Sequence, residues 1–141
     1  MKKNSILMPS FRNYLRIVVF RLSYKSSFVA AMKLREVAGP CGKLHGHTYE
    51  VEATIKGNEL NKDGMIYDYH ILRDKINNII SKLDHIYLNE LEYFKNVQPT
   101  SENIAKYIFT QLDEEILETS IAIESITIVE DRNVRISYSE D

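Results

Sequence analysis

Apolar residues recur at every second position early in the chain. Val18, Phe20, Leu22, Tyr24, Phe28, Ala30 and Met32 share one phase. A period of two sends successive side chains to opposite faces, so residues 15–31 read as a long strand with one face turned inward. Residues 33–44 break the pattern, with Gly39-Pro40 and Gly42 as loop punctuation. Alternation returns over residues 46–57, where Tyr49, Val51, Ala53 and Ile55 share a face, and ends at Gly57-Asn58. A turn follows through Lys62-Asp63-Gly64.

The period then lengthens. Ile71, Leu72, Ile76, Ile79, Ile80 and Leu83 form a helical stripe over residues 69–83. Pro99-Thr100-Ser101-Glu102 reads as a second helix start, with Thr100 as N-cap and Glu102 in the first turn. Its apolar face is Ile104, Tyr107, Ile108, Leu112 and Ile116. Residues 121–130 are rich in Ile and Val, and residues 133–139 alternate Val134, Ile136, Tyr138. The order strand, strand, helix, helix, strand, strand predicts an α+β fold: a four-stranded antiparallel sheet with two helices on one face. Such a sheet has two edges to protect, and self-association that continues the sheet is one solution. Residues 1–12 read as an arm outside the fold, and residues 13–141 as a single domain.

Composition narrows the function classes. A chain of 141 residues suffices for one domain with a real core. The formal net charge is −2, so no basic field invites nucleic acid. No apolar run reaches membrane-spanning length. Pro9, Arg12 and Arg16 interrupt the start too early for a signal peptide. A single cysteine rules out an intrachain disulfide and fits a reducing, cytoplasmic setting.

That cysteine lies four residues before a His-x-His pair, in Cys41-Gly-Lys-Leu-His45-Gly-His47. Two imidazoles on one strand face suit a borderline-soft cation such as zinc. Taken alone the motif is weak. A histidine on such a face is often a satisfied core residue, and a free cysteine is often a small buried hydrophobe. Asp84-His85 alone reads as a helix C-terminal turn. Glu130 alternates with Ile126 and Ile128, so it faces inward, where an unpartnered carboxylate is costly and favours a ligand or a buried cation. Asp113-Glu114-Glu115 reads as a solvated helix face.

Six short motifs occur in one order: Ser27-Phe28-Val29-Ala30-Ala31; Cys41-x-x-x-His45-Gly-His47; Gly64-Met65-Ile66-Tyr67-Asp68-Tyr69; Leu83-Asp84-His85-x-x-Leu88-Asn89; Pro99-Thr100-Ser101-Glu102-Asn103; and Glu130. Together they resemble the 6-pyruvoyl-tetrahydropterin synthase / 6-carboxy-tetrahydropterin synthase family, over residues 15–139. The three residues between Cys41 and His45 resemble the 6-carboxy branch, which serves queuosine and archaeosine precursor synthesis. The biopterin branch has a longer gap, and a folate-pathway branch has Glu near the position of Cys41.

The resemblance implies a tunnelling fold (T-fold) and a lyase that acts on 7,8-dihydroneopterin triphosphate. The product implied is 6-carboxy-tetrahydropterin, with loss of acetaldehyde and triphosphate. It implies zinc held by His45, His47 and an earlier histidine. It further implies a proton-transferring thiol at Cys41, an acid/base pair at Asp84 and His85, and a pterin anchor at Glu130. Thr100 and Ser101 match pterin contacts supplied by a neighbouring subunit. The implied assembly is a homo-oligomer of trimers, a hexamer.

Two departures bear on this reading. The family has Ala-Ala-His where this chain has Ala30-Ala31-Met32, and a thioether is a poor zinc ligand beside imidazole. Glu130 is followed by Asp131 where the family usually has Thr. Three outcomes stay open at the metal: weak binding through two histidines and water, a third ligand from another residue, or loss of the metal. The alternatives to the 6-carboxy reading are a 6-pyruvoyl-tetrahydropterin synthase and a metal-poor, non-catalytic pterin-binding protein.

Overall fold

The computed structural model describes residues 16–141, and the arm expected over residues 1–12 lies outside them. The long alternating runs form an antiparallel pair, β1 (Phe20–Met32) and β2 (His45–Gly57), in unbroken register from Phe20 opposite Gly57 to Met32 opposite His45. Helix α1 (Tyr69–Ser81) follows, capped by Asp68, whose carboxylate accepts the His70 N–H at 2.9 Å. After it comes a two-residue strand, β3 (Ile86–Tyr87). Helix α2 (Ser101–Glu115) starts where Thr100 Oγ1 accepts the Asn103 N–H at 3.2 Å. Strands β4 (Ile121–Asp131) and β5 (Val134–Tyr138) close the chain.

The sheet has five strands in the order β3-β1-β2-β4-β5 and is mixed, because β3 runs parallel to β1. This corrects the expected four-stranded antiparallel sheet. Two residues are too few to show a period, so Ile86-Tyr87 left no strand signal. What holds the segment at the β1 edge is largely side-chain chemistry. Asn89 mimics a strand peptide, accepting the Lys33 N–H at 3.0 Å and donating to the Lys33 carbonyl at 2.8 Å. Gln98 does the same for Arg35, at 2.9 and 2.8 Å.

Both helices cover one face of the sheet, as expected. Phe28, Tyr49, Val51, Ile55, Ile126 and Ile128 pack there against Leu72, Ile76, Ile104, Ile108 and Leu112, all at most 1% exposed. Strand β4 contributes odd and even isoleucines to this face. The reason is a bulge: Thr54 pairs with Ser125 but Ile55 pairs with Ile123, so the register against β2 slips at Glu124. A second slip against β5, between Val129 and Asp131, falls on Glu130.

Candidate active site

Glu130 is the point where three elements meet. Beyond Val129, which pairs with Glu50, β4 has no further partner in β2, and the bulge frees the Glu130 side chain to be aimed. Its Oε2 accepts the Ser101 hydroxyl at 2.7 Å. Ser101 is the first residue of α2 and is 4% exposed, so the carboxylate sits at the positive end of that helix. The other oxygen, Oε1, lies 3.1 Å from His47 Nε2. That distance allows an ion pair, but the approach is not aligned for a hydrogen bond, and this buried nitrogen has no partner. The Tyr49 hydroxyl, next along the inward face of β2, is also buried without a partner. Burial first, and the Glu130 charge second, push its phenol well above the ordinary value of 10.0. Two unpartnered polar atoms beside a carboxylate are uncommon in a finished core and suit a polar ligand.

Ser101 thus meets Glu130 inside one chain. The expectation that the α2 start would reach Glu130's site from a neighbouring subunit is corrected on this point. Thr100 spends its side chain on the helix cap. A cleft of ≈ 470 Å³ also borders Glu130 on the other side of the sheet, lined by Thr48, Glu50, Val129, Asp131, Arg132 and Arg135. The carboxylate oxygens point instead to the Ser101 and His47 side.

Asp84 and His85 lie elsewhere, on the outer edge of β1. Asp84 Oδ1 accepts the Val29 N–H at 2.9 Å, and the His85 N–H donates to the Val29 carbonyl. Asp84 Oδ1 is also 2.9 Å from His85 Nδ1. The donated Val29 N–H, and then the His85 ring, hold the Asp84 carboxyl below its ordinary 3.8. His85 has a left-handed backbone, φ 58°, and a side chain 78% exposed. A bulky residue in that region is strained, and such strain collects at functional positions. Strands β1 and β2 separate this dyad from Glu130. At roughly 4.8 Å per strand, that is about 14 Å.

Cys41 is exposed, in a 3-10 turn over Pro40–Gly42. Gly42 is required there, since a Cβ on it would stand 1.7 Å from the Val37 carbonyl oxygen. Among the described residues, no three His, Cys, Asp or Glu side chains converge on a point that could hold a metal, so the thiol does not join the histidine pair. His45 and His47 themselves are neighbours, with ring centroids 4.8 Å apart. Met32 stands opposite His45, where the resemblance expects a third histidine. Catalytic zinc takes three protein ligands of nitrogen, thiolate or carboxylate type. Among the described residues the donors here supply two, so the site does not fit zinc.

The sequence reading took Tyr49 only as an inward strand position and Asn89 only as part of a motif, and it did not single out Gln98. Tyr49 gave a usable signal, being in phase with both histidines. The two amides gave none, because their role is to bond backbone that only the fold brings near.

A carboxylate pocket at a helix start, with a separate Asp–His pair, is an arrangement suited to a small polar ligand and to proton transfer. No helix among the described residues is long and apolar enough to cross a membrane. A family model described as 6-pyruvoyl tetrahydropterin synthase matches residues 21–141. The chain therefore belongs to the 6-pyruvoyl tetrahydropterin synthase family and is a lyase with a pterin substrate. A 6-carboxy-5,6,7,8-tetrahydropterin synthase of Synechocystis is 34% identical over 107 residues, covering 66% of this chain and 81% of that protein. One of Bacillus subtilis is 37% identical over 79 residues, 53% of this chain and 52% of that protein, so the match spans about half its length. The solved structure of Caenorhabditis elegans 6-pyruvoyl tetrahydropterin synthase superposes with a TM-score of 0.79 at 26% identity, over 89% of this chain and 99% of that one.

Proposed function

We propose that the chain converts 7,8-dihydroneopterin triphosphate to 6-carboxy-tetrahydropterin, releasing acetaldehyde and triphosphate, in queuosine-type precursor synthesis in the cytoplasm. The observation that carries the reading is the Glu130 carboxylate, held by Ser101 and flanked by the unpartnered His47 Nε2 and Tyr49 hydroxyl. A pterin's aminopyrimidine edge offers two parallel N–H donors. A carboxylate accepts both, and the charge assistance makes these bonds strong. The three residues between Cys41 and His45 favour the 6-carboxy product, as do the relatives of that name.

The dyad supplies the proton chemistry. Asp84, anchored on the Val29 amide, fixes the tautomer and orientation of His85, which then moves a proton at the substrate side chain. Cys41 handles a proton on the opposite face of the substrate. With about 14 Å between Glu130 and the dyad, one chain does not close this site. The dyad of one subunit serves the Glu130 pocket of another, within a homo-oligomer of trimers, a hexamer. The stretch of β1 before Val29, which the two-residue β3 leaves unpaired, supports such an assembly.

The test is turnover of 7,8-dihydroneopterin triphosphate with the product read by mass. A 6-carboxy product is expected. A 6-pyruvoyl product, retaining the side-chain carbons, would move the assignment to the sister activity. Tight pterin binding without turnover would leave a binding protein.

A further inference from the structure

The Gln98–Arg35 clasp joins two segments that the proposed reaction uses separately. The loop between β1 and β2 returns on itself at Cys41, where the Leu34 N–H donates to the Cys41 carbonyl at 2.9 Å. Arg35, the next residue, is gripped by the segment before α2. Gln98 accepts its N–H at 2.9 Å and donates to its carbonyl at 2.8 Å. The Arg35 guanidinium in turn donates to the Phe94 and Val97 carbonyls, at 2.7 and 2.8 Å. Glu36 follows with a left-handed backbone, φ 58°. A non-glycine residue stays in that region only where its surroundings hold it there. Attachment alone is no reason for the clasp, since Asn89 already fastens the loop two residues earlier, at Lys33. On its other side Gln98 belongs to the helix start. Its carbonyl accepts Asn103 Nδ2 at 2.9 Å, the Asn103 N–H donates to the Thr100 cap, and the Ser101 hydroxyl holds Glu130.

We propose that Gln98 is a positioning residue for Cys41. Through Arg35 it ties the thiol's loop to the helix start that holds the pterin anchor, so that thiol and anchor move as one body. The inference rests on the proton-transfer role proposed for Cys41. A proton passed at one atom of the substrate needs the thiol within hydrogen-bond reach of it, and a misplacement of about 1 Å costs about 10²-fold in rate. Cys41 is exposed on a surface turn, and surface turns are mobile unless something fixes them. The four bonds at Arg35 do the fixing, and Gln98 supplies the two that grip the backbone beside Leu34.

The experiment uses the full chain and Gln98→Met, which keeps the side-chain length and removes both hydrogen bonds. With 7,8-dihydroneopterin triphosphate, kcat should fall by about tenfold or more. The pterin dissociation constant should hold, because Glu130 and Ser101 are untouched. In the Cys41→Ser background, adding Gln98→Met should cost no further turnover, since both changes then remove one function. A nitroxide attached to Cys41, the chain's single cysteine, reads the loop directly. It should be restrained in the native chain and freely mobile in Gln98→Met. Native turnover in Gln98→Met, with Cys41→Ser impaired, would overturn the inference and leave the thiol's role standing. Native turnover in Cys41→Ser would remove that role and the inference with it. Weakened pterin affinity with kcat kept would overturn it too, by showing that Gln98 serves the helix start alone. So would a freely mobile label on the native chain, a measurement that needs no variant to fold.

Discussion

The two halves of the proposed site are built in opposite ways. The Glu130 end is assembled inside one chain: a bulge aims the carboxylate, a helix start feeds it a hydroxyl, and β2 brings His47 and Tyr49 alongside. The Asp84–His85 end is hung on the outside of β1 by two bonds to Val29, on a strained backbone, with the imidazole in solvent. The first half is a pocket waiting for a ligand. The second stands on the outside of its own chain. Under the proposed division, one subunit would hold the substrate and the next would react it.

The largest test of that division acts on the exposed half. His85→Ala should lower turnover by roughly 10²–10⁴-fold while pterin binding is kept, because the lost group is an acid–base catalyst. Mixing that variant with Glu130→Gln subunits should restore part of the activity, since mixed oligomers contain intact pocket–dyad pairs. Mixtures no better than either parent would place both halves in one chain's service.

Next in size is Glu130→Gln. An amide cannot accept both ring donors with charge assistance, so pterin affinity should weaken by about 1.5–3 kcal/mol for each bond lost. The melting temperature should change less than the affinity, because an amide oxygen can still accept the Ser101 hydroxyl and the His47 contact is not an aligned hydrogen bond. An unchanged dissociation constant in calorimetry would remove the anchor.

Smaller effects separate function from stability at the dyad. His85→Gly should stabilise the fold by about 1 kcal/mol through relief of the left-handed backbone, while turnover falls as in His85→Ala. A destabilised glycine variant would mean that the strain is not in the backbone. Asp84→Asn should lower the melting temperature slightly at neutral pH. The Asp84 carboxyl is held below its ordinary 3.8, so its contribution is present above that value and disappears as pH falls through the lowered one. The gap between native and Asp84→Asn melting curves should therefore close in acid, and a gap independent of pH would count against it.

The sequence was legible where a period was long enough to read. Strands β1, β2 and β5 follow their alternations, both helices follow their apolar stripes, β4 lies where Ile and Val are dense, and the Thr100 cap is where its residue types placed it. The mixed sheet was hidden because Ile86-Tyr87 is shorter than one period of any pattern. Bulges were equally hidden, since the slips at Glu124 and Glu130 are properties of two strands and not of one. The inward direction of Glu130 could be read from Ile126 and Ile128, but its partner Ser101, 29 residues away, could not. Asp84–His85 gave the least local signal, because a histidine after a helix looks the same whether or not its backbone has turned left-handed.

Val29 carries a consequence for how copies of this chain can line up. Strand groups point to a given edge at every second residue. On the outer edge of β1, Val29 is occupied by the dyad and Ala31 by β3, and just past the strand Lys33 is held by Asn89 and Arg35 by Gln98. The same alternation leaves Ser27, Lys25, Ser23 and Arg21 with outward amides and carbonyls. A visiting strand can lie along those residues and must halt where the dyad begins. In the proposed assembly the Asp84–His85 pair would thus also be an end-stop: it would limit how far a neighbour slides, and so fix where that neighbour's pocket meets the imidazole.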